Sequence, residues 1–413
     1  MKLLILTQYF PPEMGAPQAR LYELAKRLHD RGHQISVLTA MPNYPTGKVF
    51  DEYRHKIYLQ EDMDGIRVIR TWIYPSKSSR TLPRLLSYLS FVFSSVFLGI
   101  WGLGKQDVVL FESPPLFLVP AGLIIGRVTG ARIIMNVSDI WPDIIVRMGH
   151  TTGGPFLKAM YWLEKFGYEH SDVVALTNPG AARQINERFA HVRTTVISNG
   201  VDTNFFRPDL RSDEVRASLG AGPDDFLVIY CGLHGLAQGL EVVIGAAERL
   251  KNHPEIKFVL IGDGPTKESL VAQARMKKLK NLRFFDRRPK KEIPAILASC
   301  DVSLVPLVTR LPGTMPSKVY EALAAGTPPV VAKGCEGATL VSQFNAGRTF
   351  EPMNDKELAE VILSLAKDPS ELKEIRSNCL KLAKRFDRDT IAQRTEAILI
   401  AVAKRQPLPE VAW

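Results

Sequence analysis

Short apolar segments alternate with amphipathic segments along almost the whole chain. Apolar runs of about four to eight residues are typical of buried strands, whereas apolar positions that recur every three or four residues are typical of helices. The predicted strands are residues 3–7, 34–39, 108–112, 133–137 and 173–177, followed by 227–231, 257–261, 282–285, 302–306 and 329–332. The helices predicted between them include residues 19–30, 157–170, 240–252, 267–279 and 317–325. This alternation predicts an α/β protein with doubly wound, mainly parallel sheets covered by helices.

The length of the chain and its turn signals predict two domains. A chain of 413 residues is long enough for two hydrophobic cores. The Asn199-Gly200 and Arg207-Pro208 breakers separate the two series of strands and predict a linker at residues 199–212. We predict Rossmann-like domains at residues 1–200 and 201–385, with a helix and tail at residues 386–413 that return to the N-terminal domain. Because ligands bind at the carboxyl ends of such strands, we expect the two domains to face a cleft.

Residues 85–104 differ in composition from the rest of the chain, because they contain no charged residue. Arg84 and Lys105 bracket the segment, which is long enough to cross a bilayer if it is helical. A strand that belongs to a soluble sheet is predicted almost directly after it. The pattern leaves three interpretations open: a membrane span, a buried core helix, and an interfacial helix that dips into lipid.

The net charge of +10 favours anionic partners. The sequence has no Cys/His finger and no run of five basic residues, so we expect no nucleic acid partner. A phosphate-bearing substrate or an acidic membrane surface fits the charge better. The four cysteines are scattered without metal-ligand spacing, which is typical of a reducing cytoplasm and predicts no zinc site. The apolar run that follows Met1 is too short for a signal peptide, so we predict a cytoplasmic location.

Two glycine-bearing loops follow predicted strands. Gly15 precedes the first helix, whose free N–H groups are suited to bind phosphate. Gly232 and Gly235 belong to the loop at residues 232–239, which is open to two interpretations: a pyrophosphate cradle made of backbone amides, or a plain tight turn. His234 in the same loop is either a phosphate contact or a solvated histidine.

Three long segments resemble the retaining glycosyltransferases of family 4, whose GT-B fold consists of two Rossmann-like halves. They are VISNGVD at residues 196–202, VLIGDGP at 259–265 and PSKVYEALAAGTP at 316–328. PPEMGA at residues 11–16 and DIWPD at 139–143 are most similar to bacterial enzymes that build O-antigen, capsule or exopolysaccharide. The resemblance implies transfer of a sugar, with retained configuration, from a nucleoside-diphosphate sugar to an acceptor hydroxyl. It implies a UDP-sugar in preference to a GDP-sugar, an acceptor-binding N-terminal domain, a donor-binding C-terminal domain, and neither metal nor cofactor.

Several donor-site residues are carried over from this resemblance. Glu321 matches the glutamate that holds the ribose hydroxyls, and Lys318 lies one turn earlier, placed to bind the diphosphate. An ordinary surface pair of Lys318 and Glu321 is the alternative. Arg287 lies in the loop that meets the nucleobase in relatives. The full set of expected donor-binding residues is Gly15, Gly232, His234, Gly235, Arg287, Gly313, Thr314, Ser317, Lys318 and Glu321.

The sequence departs from the family pattern at several site positions. Gly313 stands where the first glutamate of the family contacts the donor sugar, and Leu233 and Gln238 replace an Arg and a Lys. Lys318, Arg310 and the glycine-rich backbone are the candidates to replace those cations. The usual histidine of the N-terminal domain aligns with Ser138, followed by Asp139.

The expected catalytic residues are Asp139 and Lys318. Asp139 is a candidate to position the acceptor hydroxyl, and the alternative is that it caps the turn before Trp141. Lys318 is expected to stabilise the departing diphosphate.

Two pairs of aspartates have the spacing of a metal-binding motif. Asp62 and Asp64 precede Gly65, so a hairpin turn explains them, and Asp387 and Asp389 precede a helix. We therefore predict no metal site.

The predicted partners are a nucleotide sugar, a lipid-linked acceptor and the inner face of an anionic membrane. Arg80, Arg84 and Lys105 flank the uncharged segment and would attract acidic lipid. Two other functions stay open at this point: a UDP-sugar 2-epimerase on the same fold, and a non-catalytic binding protein.

Overall fold

A computed structural model describes residues 1–78, 80–143, 146 and 153–410 of the chain. The chain divides into two compact units. The first unit comprises Met1–Asn199 together with the C-terminal residues from Asp389 onward, and the second comprises Gly200–Arg388. The sequence placed these divisions after residue 200 and after residue 385. Each unit contains one sheet with helices around it, so the predicted α/β fold class is confirmed.

The sheet of the first unit has the strand order β3-β4-β2-β1-β5-β6-β7-β8. Every neighbouring pair is parallel except β3 and β4 at one edge. The strands are β1 (Lys2–Leu6), β2 (Gln34–Ala40), β3 (Tyr58–Met63), β4 (Ile66–Thr71), β5 (Val108–Ser113), β6 (Arg132–Val137), β7 (Val173–Leu176) and β8 (Thr194–Val196). The α-helices are α1 (Ala16–Asp30), α2 (Thr81–Phe97), α3 (Val119–Thr129), α4 (Pro155–His170), α5 (Pro179–Arg188) and, after the second unit, α14 (Arg388–Ala403).

Both faces of this sheet are buried. Successive side chains of a strand point to opposite faces, so the residues of one strand contribute alternately to two cores. In β1, Leu4 and Leu6 belong to one apolar core, while Leu3 and Ile5 belong to the other. Ile398 of α14 is buried in the core that contains Leu3. The C-terminal helix therefore covers one face of the first sheet.

The Asp62–Asp64 segment forms the turn of the β3–β4 hairpin. Asp64 and Gly65 both have positive φ angles, 55° and 82°, as a tight two-residue hairpin turn requires. The Asp62 carboxylate accepts a hydrogen bond from the Gly65 amide at 3.0 Å. The turn explains this aspartate pair, as the sequence predicted.

Residues 85–97 of the uncharged segment belong to α2, which has one buried and one exposed face. Serines attach the buried face to the end of β4: Ser94 Oγ donates to Thr71 Oγ1 at 3.0 Å, and Ser90 Oγ accepts from the Tyr74 amide at 2.8 Å. The exposed face of α2 carries Leu82, Leu86, Phe93 and Phe97. Throughout the described residues, no helix is both long enough and apolar enough to cross a membrane. The exposure of Leu86, Phe93 and Phe97 contradicts the interpretation as a wholly buried core helix.

The sheet of the second unit is parallel throughout, with the order β11-β10-β9-β12-β13-β14. Its strands are β9 (Phe226–Cys231), β10 (Ile256–Ile261), β11 (Leu282–Phe285), β12 (Val302–Val305), β13 (Pro329–Ala332) and β14 (Arg348–Phe350). Its α-helices are α6 (Asp213–Ser218), α7 (Glu241–Arg249), α8 (Lys267–Met276), α9 (Ile293–Ala298), α10 (Ser317–Ala324), α11 (Glu336–Gln343), α12 (Asp355–Lys367) and α13 (Pro369–Ala383).

The loops that leave β9 and β10 pack backbone against backbone. A Cβ atom at Gly262 would lie 1.8 Å from the Gly232 carbonyl oxygen, and one at Gly264 would lie 2.3 Å from the His234 carbonyl oxygen. The φ angles of Gly262 and Gly264, 146° and 154°, also disfavour any other residue. The glycines of the VLIGDGP segment thus allow the two loops to meet at the carboxyl ends of β9 and β10.

Gly262→Ala should destabilise the protein by about 3 kcal/mol or more, because it combines a backbone clash with a glycine-only conformation. Gly130→Ala is the matched control, since its φ is also positive, at 72°, but a Cβ there meets no atom within 4 Å. The control should cost about 1–2 kcal/mol. Chemical denaturation measures both values. Equal losses in the two variants would show that the loop contact contributes nothing.

Candidate active site

A buried polar cluster lies at the carboxyl ends of the central strands of the first unit. Arg20 of α1 donates from Nη2 to Glu112 Oε2 at 2.6 Å and to Ser138 Oγ at 3.0 Å. Its Nη1 donates to Asn199 Oδ1 at 2.7 Å. Asn136 donates to the other oxygen of Glu112 at 2.5 Å. One guanidinium thus ties α1 to the ends of β5, β6 and β8.

Asp139 follows β6 directly and lies beside this cluster. Burial raises the pKa of its carboxyl, and the charge of Arg20 opposes that rise. Its carboxylate accepts no hydrogen bond from any residue in the described part of the chain. The alternative that Asp139 caps the following turn is therefore wrong, and the carboxylate is left available for a ligand.

Glu13, in the loop after β1, connects two strand-end loops. One oxygen accepts from the amides of Asn43 and Tyr44, both at 2.7 Å, and the other accepts from the Phe10 amide at 3.2 Å. Burial raises the pKa of Glu13, and these backbone hydrogen bonds oppose the rise. The loop after β1 and the loop after β2 are therefore joined through one side chain.

Arg70 of β4 forms a hydrogen bond to the loop after β1. Its side chain is fully buried, with Nη2 donating to the Pro11 carbonyl at 2.5 Å and Nε donating to Glu61 at 2.6 Å. Sequence reasoning missed both Glu13 and Arg70. The PPEMGA segment carried the only signal for Glu13, and nothing in the sequence singled out Arg70 within the strand that follows the predicted hairpin turn.

Gly15 is the residue that precedes α1. A Cβ atom there would lie 2.2 Å from Gln18 Oε1, so the glycine makes room for the glutamine side chain. No side chain caps α1, and its first turn contains no acidic residue. The free amide end of the helix is therefore suited to bind an anion.

Lys318 and Gly232 come together in the second unit. A Cβ atom at Gly232 would lie 2.5 Å from Lys318 Nζ, so the ammonium group occupies the space that the glycine leaves. The same Nζ lies 5.5 Å from the centre of the Tyr230 ring. Val319 and Tyr320 of α10 are buried, which fixes the orientation of the helix. Lys318 is half-buried on the same helix, and its ammonium group lies at the end of β9.

Glu321 is partly buried one turn later on α10. Burial raises the pKa of its carboxyl, and the positive charges of Lys318, Lys290 and Arg388 oppose that rise. Among the ion pairs of the described residues, none joins Lys318 to Glu321. The alternative of an ordinary surface pair is wrong.

His234 is fully buried beneath the glycine loop. Its ring lies 5.9 Å from that of Tyr230 and 6.5 Å from that of Phe284. Burial, and next the charge of Lys267, lower its pKa, so the ring is neutral at neutral pH. The alternative of a solvated histidine is wrong, and a donor contact through the side chain stays a prediction. Gly235, also buried, leaves room for Gln238, whose Oε1 would lie 2.6 Å from a Cβ there.

The remaining predicted donor residues of the second unit lie on other loops or, for Ser317, at the beginning of α10. The Thr314 amide donates to the Leu311 carbonyl at 3.1 Å, and the Thr314 carbonyl accepts from the Glu336 amide at 2.9 Å. Gly313 has a φ of 77°, which favours glycine, so its identity has a backbone cause. The side chains of Ser317 and Arg287 are exposed.

Arg310, a candidate replacement for the missing cations, forms an exposed ion pair with Glu351 at 2.7 Å. Leu233, which replaces a family cation, is also exposed. Lys318 is therefore the cation that the structure places at the glycine loop.

Comparison with known sequences identifies both halves of the chain. The profile described as "Glycosyl transferase 4-like domain" matches residues 15–200, and the profile described as "Glycosyl transferases group 1" matches residues 211–384. The chain belongs to the group 1/family 4 glycosyltransferases.

This glycosyltransferase is similar in sequence to bacterial proteins. WcaI of Escherichia coli, named as a colanic acid biosynthesis glycosyl transferase, is 29% identical over 334 residues, which are 79% of this chain and 82% of WcaI. The glycosyltransferase WbjE of Pseudomonas aeruginosa is 27% identical over 263 residues, which are 62% of this chain and 66% of WbjE.

Solved structures share its GT-B fold. The sucrose-phosphate synthase of Thermosynechococcus elongatus has a TM-score of 0.74 at 15% identity, over 98% of this chain and all of the other. HepE of Anabaena, solved in complex with UDP, has a TM-score of 0.72 at 22% identity, over 97% of this chain and all of the other. The predicted GT-B fold is confirmed.

The described residues of the glycosyltransferase contain no cluster of metal-ligating side chains. No group of three or more His, Cys, Asp or Glu side chains there could hold a metal ion. Asp387, one of the two aspartates at the second motif-like spacing, accepts from Thr203 Oγ1 at 2.5 Å, and Asp389 forms an ion pair with Arg27 at 2.6 Å.

Asp139→Asn should raise the thermal midpoint at pH 7 while lowering the rate of sugar transfer. Because the pKa of Asp139 is raised on folding, its ionised form opposes folding above that pKa. The gain in stability should therefore vanish as the pH falls toward 3.8, the ordinary pKa of an aspartate. Thermal melts across pH, with a transfer assay, measure both effects.

Asp143→Asn is the control in the same loop, because Asp143 forms an ion pair with Arg188 at 3.2 Å and accepts from Tyr161 at 2.8 Å. This variant should lose stability at pH 7. A fall in stability for Asp139→Asn as well, or full activity in that variant, would contradict the assignment.

Proposed function

We propose that this glycosyltransferase moves a sugar from a nucleoside-diphosphate sugar, UDP-linked in preference to GDP-linked, to a hydroxyl of a lipid-linked glycan. The product belongs to a cell-surface polysaccharide, and the anomeric configuration is retained. The observation that carries the proposal is the Lys318 ammonium group held against Gly232 at the end of β9. The name of WcaI supports the polysaccharide, and the UDP complex of HepE supports the nucleotide.

The donor binds to the second unit in this proposal. The Lys318 ammonium group is suited to a diphosphate because it supplies positive charge at the glycine loop. The Gly232 and His234 amides already donate to the Ile261 and Asp263 carbonyls, so the charge of Lys318 is the main attraction. Glu321 is suited to the ribose, since a carboxylate accepts hydrogen bonds from two neighbouring hydroxyls. The charges of Lys318, Lys290 and Arg388 keep this carboxylate closer to its ionised, accepting form than burial alone would.

The transfer step breaks the bond between the anomeric carbon and the donor phosphate oxygen. The acceptor oxygen forms the new bond on the same face of the sugar, and its proton passes to the departing diphosphate. Lys318 stabilises the negative charge that develops on that diphosphate. Asp139 accepts a hydrogen bond from the acceptor hydroxyl and orients it, while Arg20 limits the cost of its charge. The step requires neither a metal nor another cofactor.

The first unit contacts the inner face of the membrane in this proposal. Leu82, Leu86, Phe93 and Phe97 form an exposed apolar face on α2, and the Phe93 and Phe97 rings stack at 6.4 Å. Arg80 and Lys105 flank the helix, and each basic residue near an acidic surface contributes about 1 kcal/mol of attraction. An apolar face bordered by basic residues is typical of a peripheral interfacial helix.

Glu321→Ala should weaken UDP binding by about tenfold to a hundredfold, since it removes charge-assisted hydrogen bonds to the ribose. Lys318→Ala should lower turnover by about 10²–10³, as expected when a group that stabilises developing charge is lost. Calorimetry with UDP and GDP, and a transfer assay with UDP- and GDP-sugars, measure these effects. Lys277→Ala is the control, because Lys277 pairs with Glu248 on the surface. Wild-type behaviour in both site variants, or epimerised donor as the product, would refute the proposal.

Phe93→Asp should abolish flotation with liposomes that contain acidic lipid, because it places a charge in the apolar face of α2. Met276→Asp is the control, since Met276 is 75% exposed on the second unit. Wild-type flotation should weaken at high salt as the basic residues are screened. Absence of wild-type flotation under every condition, or equal loss in both variants, would refute the membrane contact.

A further inference from the structure

Two aromatic pairs, together called the aromatic cluster, lie near the loops that Glu13 joins, and Tyr9 of the first pair interacts electrostatically with Tyr88 of the second. Tyr9 and Tyr44 meet edge to face with ring centres 5.9 Å apart. Tyr88 of α2 stacks on Phe117 at 5.4 Å and 18°. Tyr44 is 46% exposed, and Tyr9 and Tyr88 are partly exposed, so the rings present aromatic surface to solvent. Exposed aromatic faces at a strand-end loop are well suited to pack against sugar rings.

Arg84 lies at the border of this cluster, near the beginning of α2. Its Nη2 donates to the Tyr88 hydroxyl at 3.2 Å, and its charge acts on Tyr9. The side chain is exposed and forms no ion pair with a carboxylate among the described residues. A guanidinium has five N–H donors, so most of them remain available to an anion. The first turn of α2 contains no acidic residue that would compete.

The opposite face of the same helix turns is apolar. Leu82 and Leu86 are exposed there, 65% and 47%, two residues away in sequence from Arg84 and Tyr88. Positions two apart on a helix point in nearly opposite directions. The beginning of α2 therefore separates an apolar surface from the guanidinium and the aromatic cluster, across a helix diameter of about 10 Å.

We propose that Tyr9, Tyr44, Tyr88 and Arg84 form the acceptor subsite of this glycosyltransferase, and that its ligand is a sugar linked through phosphate to an isoprenoid-type lipid. Arg84 binds the phosphate, the tyrosine rings pack against the sugar, and the lipid chain stays in the bilayer against Leu82 and Leu86. The order of apolar, cationic and aromatic surfaces matches the order of lipid, phosphate and sugar in such a molecule. The inference rests on the proposed function, because it names the acceptor of that reaction.

Binding of geranyl diphosphate to the full chain tests the role of Arg84. Calorimetry is performed with excess UDP, which occupies the diphosphate site of the second unit. Arg84→Ala should weaken binding by about tenfold or more, and Arg84→Lys should restore part of the loss, since lysine keeps the charge without the fork of donors. Lys277→Ala removes the same charge from the surface of the second unit and should change the affinity less than twofold. Geraniol, which lacks phosphate, should not bind measurably.

Sugar-bearing probes test the aromatic half of the subsite. Geranyl diphosphates that carry glucose, galactose or N-acetylglucosamine are compared with geranyl diphosphate itself. At least one should bind more tightly, and Tyr44→Ala should remove that gain while Tyr44→Phe retains it. Thermal melts confirm that each variant is folded.

Wild-type affinity in Arg84→Ala, or equal losses in Arg84→Ala and Lys277→Ala, would overturn the phosphate assignment. No gain from any sugar would overturn the tyrosine platform. Failure of the donor proposal is recognised separately, because UDP would then not bind the wild-type protein. In that case the geranyl diphosphate titrations in a Lys318→Ala background still test Arg84.

Discussion

Burial of charged groups at the carboxyl ends of parallel strands is the constraint on which both candidate sites depend. Removing a charge from water is costly unless an opposite charge or several hydrogen bonds compensate it. Arg20 offsets this cost for Glu112 through an ion pair of 2.6 Å, and it lies near Asp139 as well. The guanidinium of Arg20 bonds to Glu112, Ser138 and Asn199. The carboxylate of Asp139 therefore lies near a positive charge but forms no ion pair with it.

The second unit solves the same problem with small residues. Gly262 and Gly264 let two loops approach through their backbones, and Gly232 leaves space for an ammonium group. Lys318 therefore needs no carboxylate partner to be positioned, since the shape of the loop holds it. A cation that is positioned by packing keeps its charge available for a ligand.

The fold was predictable from the sequence because strand and helix periodicities recur regularly in both halves. The hairpin of β3 and β4 was predicted only through its turn, because charged residues interrupt the apolar pattern of both strands. The short strands β8 and β14, with three residues each, were missed. The helical nature of residues 81–97 was predictable, but which of its faces would be buried was not. That choice depends on which strand ends its serines reach, and such contacts are not encoded in local periodicity.

The candidate site was predictable where residues lie in long motifs, as for Lys318 and Glu321. It was not predictable where function depends on contacts distant in sequence, as for Arg20 with Asn199, or for Arg70 with Pro11. The burial of His234 was also not predictable from the sequence. Its position in a glycine loop suggested an exposed side chain, whereas the packing of the loops after β9 and β10 buries the ring.

Glu13 has a consequence for how this enzyme can change. Its carboxylate holds the Phe10 amide in one loop and the Asn43 and Tyr44 amides in another. An insertion or deletion in either loop would leave this buried carboxylate without part of its hydrogen bonds. Attempts to redesign either loop should therefore exchange both segments together, with the glutamate retained as their common anchor.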